Sequence, residues 1–537
     1  MTGRRKQATV AGMNKPRVSI VPQLVVFLGS MAMMILELVA SRLVSKFFGT
    51  SLYTWTGVIG ICLGGISLGN FLGGRLADRY RPEVLIGWLL RLSALLVFLI
   101  LVLDSLLQSL LADAASLLTG VMVLQSILVI FGLFFIPCAA LGTFSPVMAK
   151  YALEKQAKVG RTVGSLYALS TIGSIIGTFL AGFVLIPLLD IRLIILIVAL
   201  TLAGMALLFP SGRRVSLLVL AGIGLLFVLF QTLDPDGLIG VAGRRVLFSR
   251  YSQYSHIQVV DLLDEAGQPL ERKLIMDGLT HNRHVSSRPD ELLYEYERLF
   301  KALTLDNLAR SGTSDFSALT LGGGAMTFPA WLQRHYRPQR NVVVEIDPLV
   351  VDLAYRYFEV PLDSGLEVAV ADARAWVNSA ARRATATTAG RGLFDVIYLD
   401  AFSSFSVPYH LTTREFSAKL ASLLKPDGLL LANCIDIFNS GGFIGAYLAT
   451  LDTVLPHTAI YCGPRFNRDL RSTYVIVAGR DDQIPPVLHG DAGEAVGYRL
   501  GLVERAQLGT ANHGLVLTDW HAPVESLMAP VFLGSID

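Results

Sequence analysis

The chain has 537 residues, of which 53% are hydrophobic and only 16% charged, against about 25% charged in ordinary soluble domains. That imbalance excludes a wholly soluble, disordered or collagen-like chain, and a net charge of +3 is too small to argue for a nucleic-acid partner. Four cysteines without a C-x-x-C spacing exclude a disulfide scaffold and a zinc framework, so no metal is expected.

The apolar excess lies almost wholly before residue 235. Seven runs of roughly 20 residues are long enough to span a bilayer as helices. They fall near 23–45, 53–76, 84–104, 118–138, 162–187, 191–209 and 215–233. The stretch 140–160 is expected to be an interfacial or partly buried helix. Arg4, Arg5, Lys6, Lys15 and Arg17 precede the first run, and Arg75, Arg79, Arg81, Lys150, Lys155, Lys158, Arg161, Arg213 and Arg214 fall in alternate loops. The positive-inside rule therefore puts the N-terminus in the cytoplasm. Glycines at 60, 64, 65, 69, 73 and 74, and at 164, 173, 177 and 182, suit closely packed helices. Glu37, with Arg42 about one turn on, is an acid at membrane depth: a functional group or one half of a structural ion pair.

From Asp234 the composition becomes that of a globular domain. Arg250 to Asp261 alternates polar and apolar residues like a strand, and 274–282 reads as a second strand and turn. A small β-subdomain with a helix near 291–303 is expected over 236–305. The main fold, 306–537, opens with an apolar strand, a glycine turn and a helix at 316–336. Further strands are expected at 341–348, 366–374 and 394–402, and after Lys425-Pro-Asp-Gly428, each but the last followed by a helix. That alternation makes a parallel, doubly wound α/β sheet of Rossmann-like type. Ligands in such sheets bind beyond the carboxyl ends of the strands, where Gly322, Gly323, Gly324, Glu345, Asp372 and Asp400 all fall. The glycines let a ligand approach the backbone. Glu345 can accept both ribose hydroxyls of an adenosine, Asp372 its adenine amino group, and Asp400 faces the reacting centre. Four strand-end features in this order point to a nucleoside-type cofactor. Without a G-x-G-x-x-G or a P-loop lysine, NAD and ATP are disfavoured.

Residues 36–79 resemble the opening of the membrane-bound spermidine synthase-like proteins, the type described as a major facilitator fragment fused to a spermidine synthase. Seven runs are too few for a complete transporter of that kind. The stretch 250–435 resembles the spermidine synthase family, which shares its fold with S-adenosylmethionine-dependent methyltransferases. The matches are SQYSHI at 252–257, LIMDG at 274–278, DELLYE at 290–295, LGGG at 321–324, VEIDP at 344–348, ADAR at 371–374 and FDVIYLDA at 394–401, with LTDWHAPVE at 517–525 resembling the membrane-bound branch. The resemblance implies a transferase that uses decarboxylated S-adenosylmethionine, or S-adenosylmethionine itself, and a small amine or lipid acceptor. It implies that Glu345 holds the ribose, Asp372 the adenine, and Ser255 stands near them. Asp400 would be the base that deprotonates the amine, and Tyr294 would line the acceptor site.

The departures from the family pattern are specific. Its turn reads GGGDGG, whereas Gly324 is followed by Ala325, so the acid that binds the aminopropyl ammonium is missing. Its Asp-Ser-Ser-Asp loop is here Asp400-Ala401-Phe402-Ser403, which removes a second acid. Its glutamine after the first tyrosine is Ser255, and Glu295 follows Tyr294 where it has His or Gln. Glu295 and Ser403 are thus expected at the acceptor site, with His281 and His284 in the loop that covers it. Two lost acids weaken a site for a dication such as putrescine, and they favour methyl or alkyl transfer to a membrane-associated acceptor as the alternative. A polyamine-binding transporter or sensor is a third reading, and a homo-oligomer is compatible with the sequence. Seven spans would put residue 235 outside, yet sulfonium nucleosides are cytosolic, so the soluble half is expected in the cytoplasm of a bacterial cell. Cys434 and Cys462, on late strands expected to be neighbours, should then stay thiols.

Overall fold

The computed structural model describes residues 20–49, 51–114, 122–154, 158–233, 243–312, 315–387, 392–401, 407–482, 484–511 and 514–533. The chain divides into two compact units. One gathers Met1–Val39, Gly60–Val102 and Phe131–Gln231; the other gathers Ala40–Ile59, Leu103–Ile130 and Thr232–Asp537.

Among the described residues, six helices are long and apolar enough to cross a membrane, by length and composition: Val21–Phe47, Leu52–Arg79, Pro82–Leu107, Leu124–Leu153, Val159–Leu188 and Ile191–Leu208. The seventh expected run is also helical, over Arg213–Leu233. Leu124–Leu153 counts as one span and takes in most of the stretch read as an interfacial helix, with a turn at Thr143 between the helices Ile136–Gly142 and Phe144–Leu153. A π-turn, Phe131–Phe135, precedes Pro137, and another, Ala181–Leu185, precedes Pro187. Widening the helix by one residue there eases the clash of a proline ring with the preceding turn, so the helix continues where a proline would stop it.

Part of the glycine pattern reflects close packing, while an added Cβ at Gly60, Gly74, Gly164 or Gly182 would meet nothing within 4 Å. A Cβ at Gly69 would lie 2.0 Å from the Ala139 carbonyl oxygen, and one at Gly65 would lie 2.7 Å from that of Phe135. Gly173 and Gly177 stand in the same way against the carbonyls of Phe27 and Met31.

In the second unit, Lys46 Nζ lies 2.5 Å from Asp104 Oδ2, both side chains being buried. Arg42 donates to the backbone carbonyls of Gln253 and, at 2.8 Å, Tyr254.

Strands β1 (Arg244–Tyr251), β2 (His256–Leu263), β3 (Pro269–Met276) and β4 (Leu279–His284) form an antiparallel sheet in that order. The strand expected over 250–261 is therefore two strands and a turn. Ser252 Oγ accepts the N–H groups of Tyr254 and Ser255, at 3.0 and 3.1 Å, closing a hairpin that has neither glycine nor proline.

The larger sheet has nine strands: β5 (Ser317–Leu321), β6 (Arg340–Glu345), β7 (Glu367–Val370), β8 (Phe394–Leu399), β9 (Leu424–Ile437), β10 (His457–Cys462), β11 (Arg471–Gly479), β12 (Val487–His489) and β13 (Ala495–Arg499). Their order is β12-β13-β10-β11-β9-β8-β5-β6-β7. The five from β9 to β7 are parallel, as the alternation of strands and helices required, and β11 runs antiparallel to β9. β5 is buried at every position and β8 at all but one, because helices cover both faces of a parallel sheet. Phe300, on the helix Glu295–Ser311, packs edge-on to Phe328 at 5.6 Å and against Tyr398 at 5.1 Å.

The register fixes the site. Leu321 of β5 pairs with Val344 and Leu399, so three strands end side by side. Gly322 donates to the Val344 carbonyl at 2.9 Å, and Asp400 donates to that of Leu321 at 2.9 Å.

The two cysteines are not neighbours. Cys434 of β9 and Cys462 of β10 both pair with Tyr474 of β11, one on each side. Two strand spacings, about 10 Å, separate their backbones, too far for a disulfide. Their thiol state therefore says nothing about compartment.

Candidate functional site

A cavity of about 350 Å³ opens at the ends of β5, β6, β8 and β9. It is lined by Ser255, His281, Tyr294, Gly322, Gly323, Gly324, Glu345, Asp372 and Asp400, which brings nine of the eleven sequence-derived candidates to one place. Glu295 does not line it. As the first residue of the helix Glu295–Ser311 it turns its carboxylate against Gly463, and so supplies no charge to the cavity wall. Ser403 lies outside the described residues. His284 stands apart too, with Nε2 3.3 Å from Glu359 Oε2.

The glycine turn is built around Glu345. Its Oε2 accepts the N–H of Gly323 at 2.8 Å and of Gly324 at 3.1 Å, and its Oε1 accepts that of Asp347 at 3.0 Å. Burial pushes its carboxyl up and these three donors pull it down, with burial prevailing. Three of its roughly four lone-pair sites are thus taken, and Oε1 keeps one for a further donor. Asp372 Oδ1 accepts the Ala375 N–H at 2.7 Å, and its Oδ2 lies 3.7 Å from His410 Nε2.

Asn282 of β4 ties the small sheet to the turn. Its Oδ1 accepts the Ala325 N–H at 2.8 Å and its Nδ2 donates to Thr327 Oγ1 at 2.9 Å. Ala325 itself is fully buried in an apolar cluster with Ile257, Leu274 and Val350, and it does not line the cavity.

Asp400 follows the last residue of β8. Its Oδ1 accepts from Asn433 Nδ2 at 2.8 Å, and the Tyr296 hydroxyl donates to the same carboxylate. Burial pushes Asp400 up to about 6, with the nearby Glu345 charge adding to the rise and the two donors opposing it. A carboxylate with that value is largely ionised at neutral pH and is a competent proton acceptor. Glu297 stands behind it, pushed up to about 7 by burial and by Asp400. Glu297 also accepts the Tyr294 N–H and the Thr327 hydroxyl, each at 3.3 Å.

Tyr294 precedes that helix, its hydroxyl 3.4 Å from the Thr280 carbonyl and its ring 5.6 Å from that of Tyr296. His281 Nδ1 lies 3.0 Å from the Leu279 carbonyl. A carbonyl only accepts, so Nδ1 carries the proton and Nε2 is left as an acceptor. Burial, reinforced by the Arg471 charge, lowers the imidazole below its ordinary value and keeps it neutral at pH 7.

Sequence reasoning missed Tyr296, Glu297, Asn433, Asn282 and Arg471. An amide within the apolar run Leu429-Leu-Leu-Ala-Asn433 was a usable signal for one of them, because a buried amide is costly unless something bonds it.

Residues 311–464 match the family model of the spermine/spermidine synthase domain. A probable polyamine aminopropyl transferase of Bifidobacterium longum is 33% identical over 139 residues, which is 26% of this chain and 28% of that protein. A polyamine aminopropyltransferase of Vibrio vulnificus is 36% identical over 113 residues, or 21% of this chain and 35% of that one. The chain thus spans about a third of the length of these relatives. Among solved structures, a probable spermidine synthase from Corynebacterium glutamicum is 21% identical and covers 53% of this chain and 98% of its own, with a TM-score of 0.41.

Proposed function

Starting from a chain that carries a spermine/spermidine synthase domain over residues 311–464, we propose that it is an alkyl transferase. Its nominal reaction is transfer of the aminopropyl group of decarboxylated S-adenosylmethionine to an amine, with putrescine as the reference acceptor. The observation that carries this reading is Asp400. Its carboxylate is held by Tyr296 and Asn433 at a strand end, beside the glycine turn and Glu345, in the wall of the cavity.

An alkylammonium has no lone pair and cannot attack carbon. Asp400 takes its proton, and the neutral amine then displaces the sulfur of the sulfonium. Glu345 binds the ribose hydroxyls of the donor and Asp372 the adenine. Tyr294 and His281 shape the acceptor side, and Ser255 lines the cavity.

One observation favours a second reading, methyl or other alkyl transfer from intact S-adenosylmethionine to a membrane-associated acceptor. Ala325 is sealed in an apolar cluster, so the position of the family's aminopropyl-binding acid offers the donor nothing.

Purified protein incubated with either donor and a panel of amines and lipids, with products weighed by mass spectrometry, tests both readings. Transfer of an aminopropyl group is the expected result; transfer of methyl groups alone would replace the first reading by the second. In a parallel arm, Glu345→Gln should weaken methylthioadenosine at least about tenfold by calorimetry, a modest loss for hydrogen bonds to a charged group. Binding without any product from either donor would leave a polyamine or nucleoside sensor.

The chain is read as an integral membrane protein of a bacterial plasma membrane, its soluble half in the cytoplasm where sulfonium nucleosides are made. A cysteine at Leu362, 86% exposed, should resist an impermeant maleimide in intact cells and react after lysis. Labelling without lysis would defeat that placement.

A further inference from the structure

The charges around the cavity are sorted by strand. Glu345 ends β6, and Asp347 and Asp372 follow β6 and β7, at one side. Tyr254 faces the same side, since burial and the charges of Asp347, Asp372 and Glu345 push its hydroxyl up. Asp277, whose Oδ1 accepts the His256 N–H at 2.9 Å, lies in the tight turn between β3 and β4. Asp400 and Asn433, on β8 and β9, form the middle. Beyond them comes β11, which puts Arg471 and Thr473 in the wall together with Ile435 of β9.

Two strand spacings, about 10 Å, separate β11 from β8, on the side away from Glu345. Arg471 pairs with Ile437, four residues along β9 from Asn433, a rise of about 13 Å. Its guanidinium is close enough to His281 to depress that imidazole. Among the described residues, no carboxylate besides Asp400 lines the end formed by Thr280, His281, Ile435, Arg471 and Thr473. A sulfonium donor therefore meets acids, and whatever approaches from the far side meets a guanidinium, a neutral imidazole and a hydroxyl. A second ammonium is poorly served there, whereas guanidinium is the side chain best suited to a carboxylate or phosphate.

Building on the alkyl-transfer reading, we infer that the acceptor is an amine that also carries an anionic group, held by Arg471 while its nitrogen faces Asp400. Asp400 takes one proton from the ammonium. The freed lone pair forms the new C–N bond to the carbon attached to sulfur. The C–S bond breaks, its electron pair stays on sulfur as a neutral thioether, and the product is a secondary ammonium. Arg471 is a specificity residue in this scheme and takes no part in the proton transfer.

The test uses the full-length protein in detergent or nanodiscs with intact and decarboxylated S-adenosylmethionine. Acceptors are putrescine and cadaverine on one hand, and 6-aminohexanoate, 8-aminooctanoate and phosphoethanolamine on the other. At least one anionic amine should exceed both diamines in kcat/KM by about tenfold or more, the scale of one charge-assisted hydrogen bond. Arg471→Gln should raise the KM of that acceptor by a similar factor and leave methylthioadenosine affinity unchanged, and Arg471→Lys should recover part of the loss. Diamines used as well as the anionic amines, with Arg471→Gln without effect, would overturn the inference and leave alkyl transfer standing. An Arg471→Gln effect confined to the KM of the intact donor would also overturn it, by assigning the guanidinium to the donor's carboxylate. No product with any acceptor would sink the alkyl-transfer reading and this inference with it.

Discussion

Asp400→Asn is expected to lower turnover by about a hundredfold or more while the nucleoside product still binds. The substitution keeps the shape of the side chain and its contact with Asn433, but an amide cannot take a proton, and general-base terms are typically about 10²–10⁴ in rate. The pH dependence gives a sharper signature. Asp400 is pushed up to about 6; if it is the base it accepts a proton only when ionised, so kcat/KM should fall about tenfold per pH unit once pH drops below that value. The same limb should be missing from the residual activity of the variant. Stopped-time product assays from pH 5 to pH 8 measure both, with methylthioadenosine calorimetry for binding. Wild-type turnover in the variant would place the base elsewhere.

Gly322→Ala is expected to abolish nucleoside binding, losing about a hundredfold or more. Gly322 has φ +94°, and a Cβ there would stand 2.3 Å from the Asp400 carbonyl oxygen. The backbone conformation alone costs about 1–3 kcal/mol for a residue with a side chain. The collision is with the backbone of Asp400, so relief means moving that residue's carboxylate. Gly509→Ala is the matched control, since nothing lies within 4 Å of its added carbon; at a helical position it should be neutral or stabilise by about 0.5–1 kcal/mol. Thermal melting and methylthioadenosine titration separate loss of fold from loss of site. Unimpaired binding in Gly322→Ala would show that the strand ends can part without harm.

The donor half of the site was legible because parallel strands end abruptly. Leu319-Thr-Leu-Gly322 and Val342-Val-Val-Glu345 change from apolar to special residues at one point, and that point is the sheet edge. The other side was legible only in part, since Tyr294 and His281 line the cavity and Glu295 does not. Tyr296 and Glu297 sit in a helix whose sequence reads as ordinary packing, and Arg471 comes from a strand inserted out of order between β9 and β10. The hairpin between β1 and β2 was invisible because the Ser252 hydroxyl, not glycine or proline, closes it. Composition placed a boundary near residue 235, but it could not reveal that Ala40–Ile59 and Leu103–Ile130 join the second unit, because tertiary contacts and not composition decide that.

Asn282 has a thermodynamic corollary. One amide group holds the glycine turn through Ala325 and Thr327, and the strand that carries it also carries His281. Whatever stiffens the turn stiffens the wall met by the other substrate, and the converse holds equally. Linkage makes any such help mutual and equal in free energy, so on the two-substrate reading proposed above each substrate is expected to bind more tightly in the presence of the other.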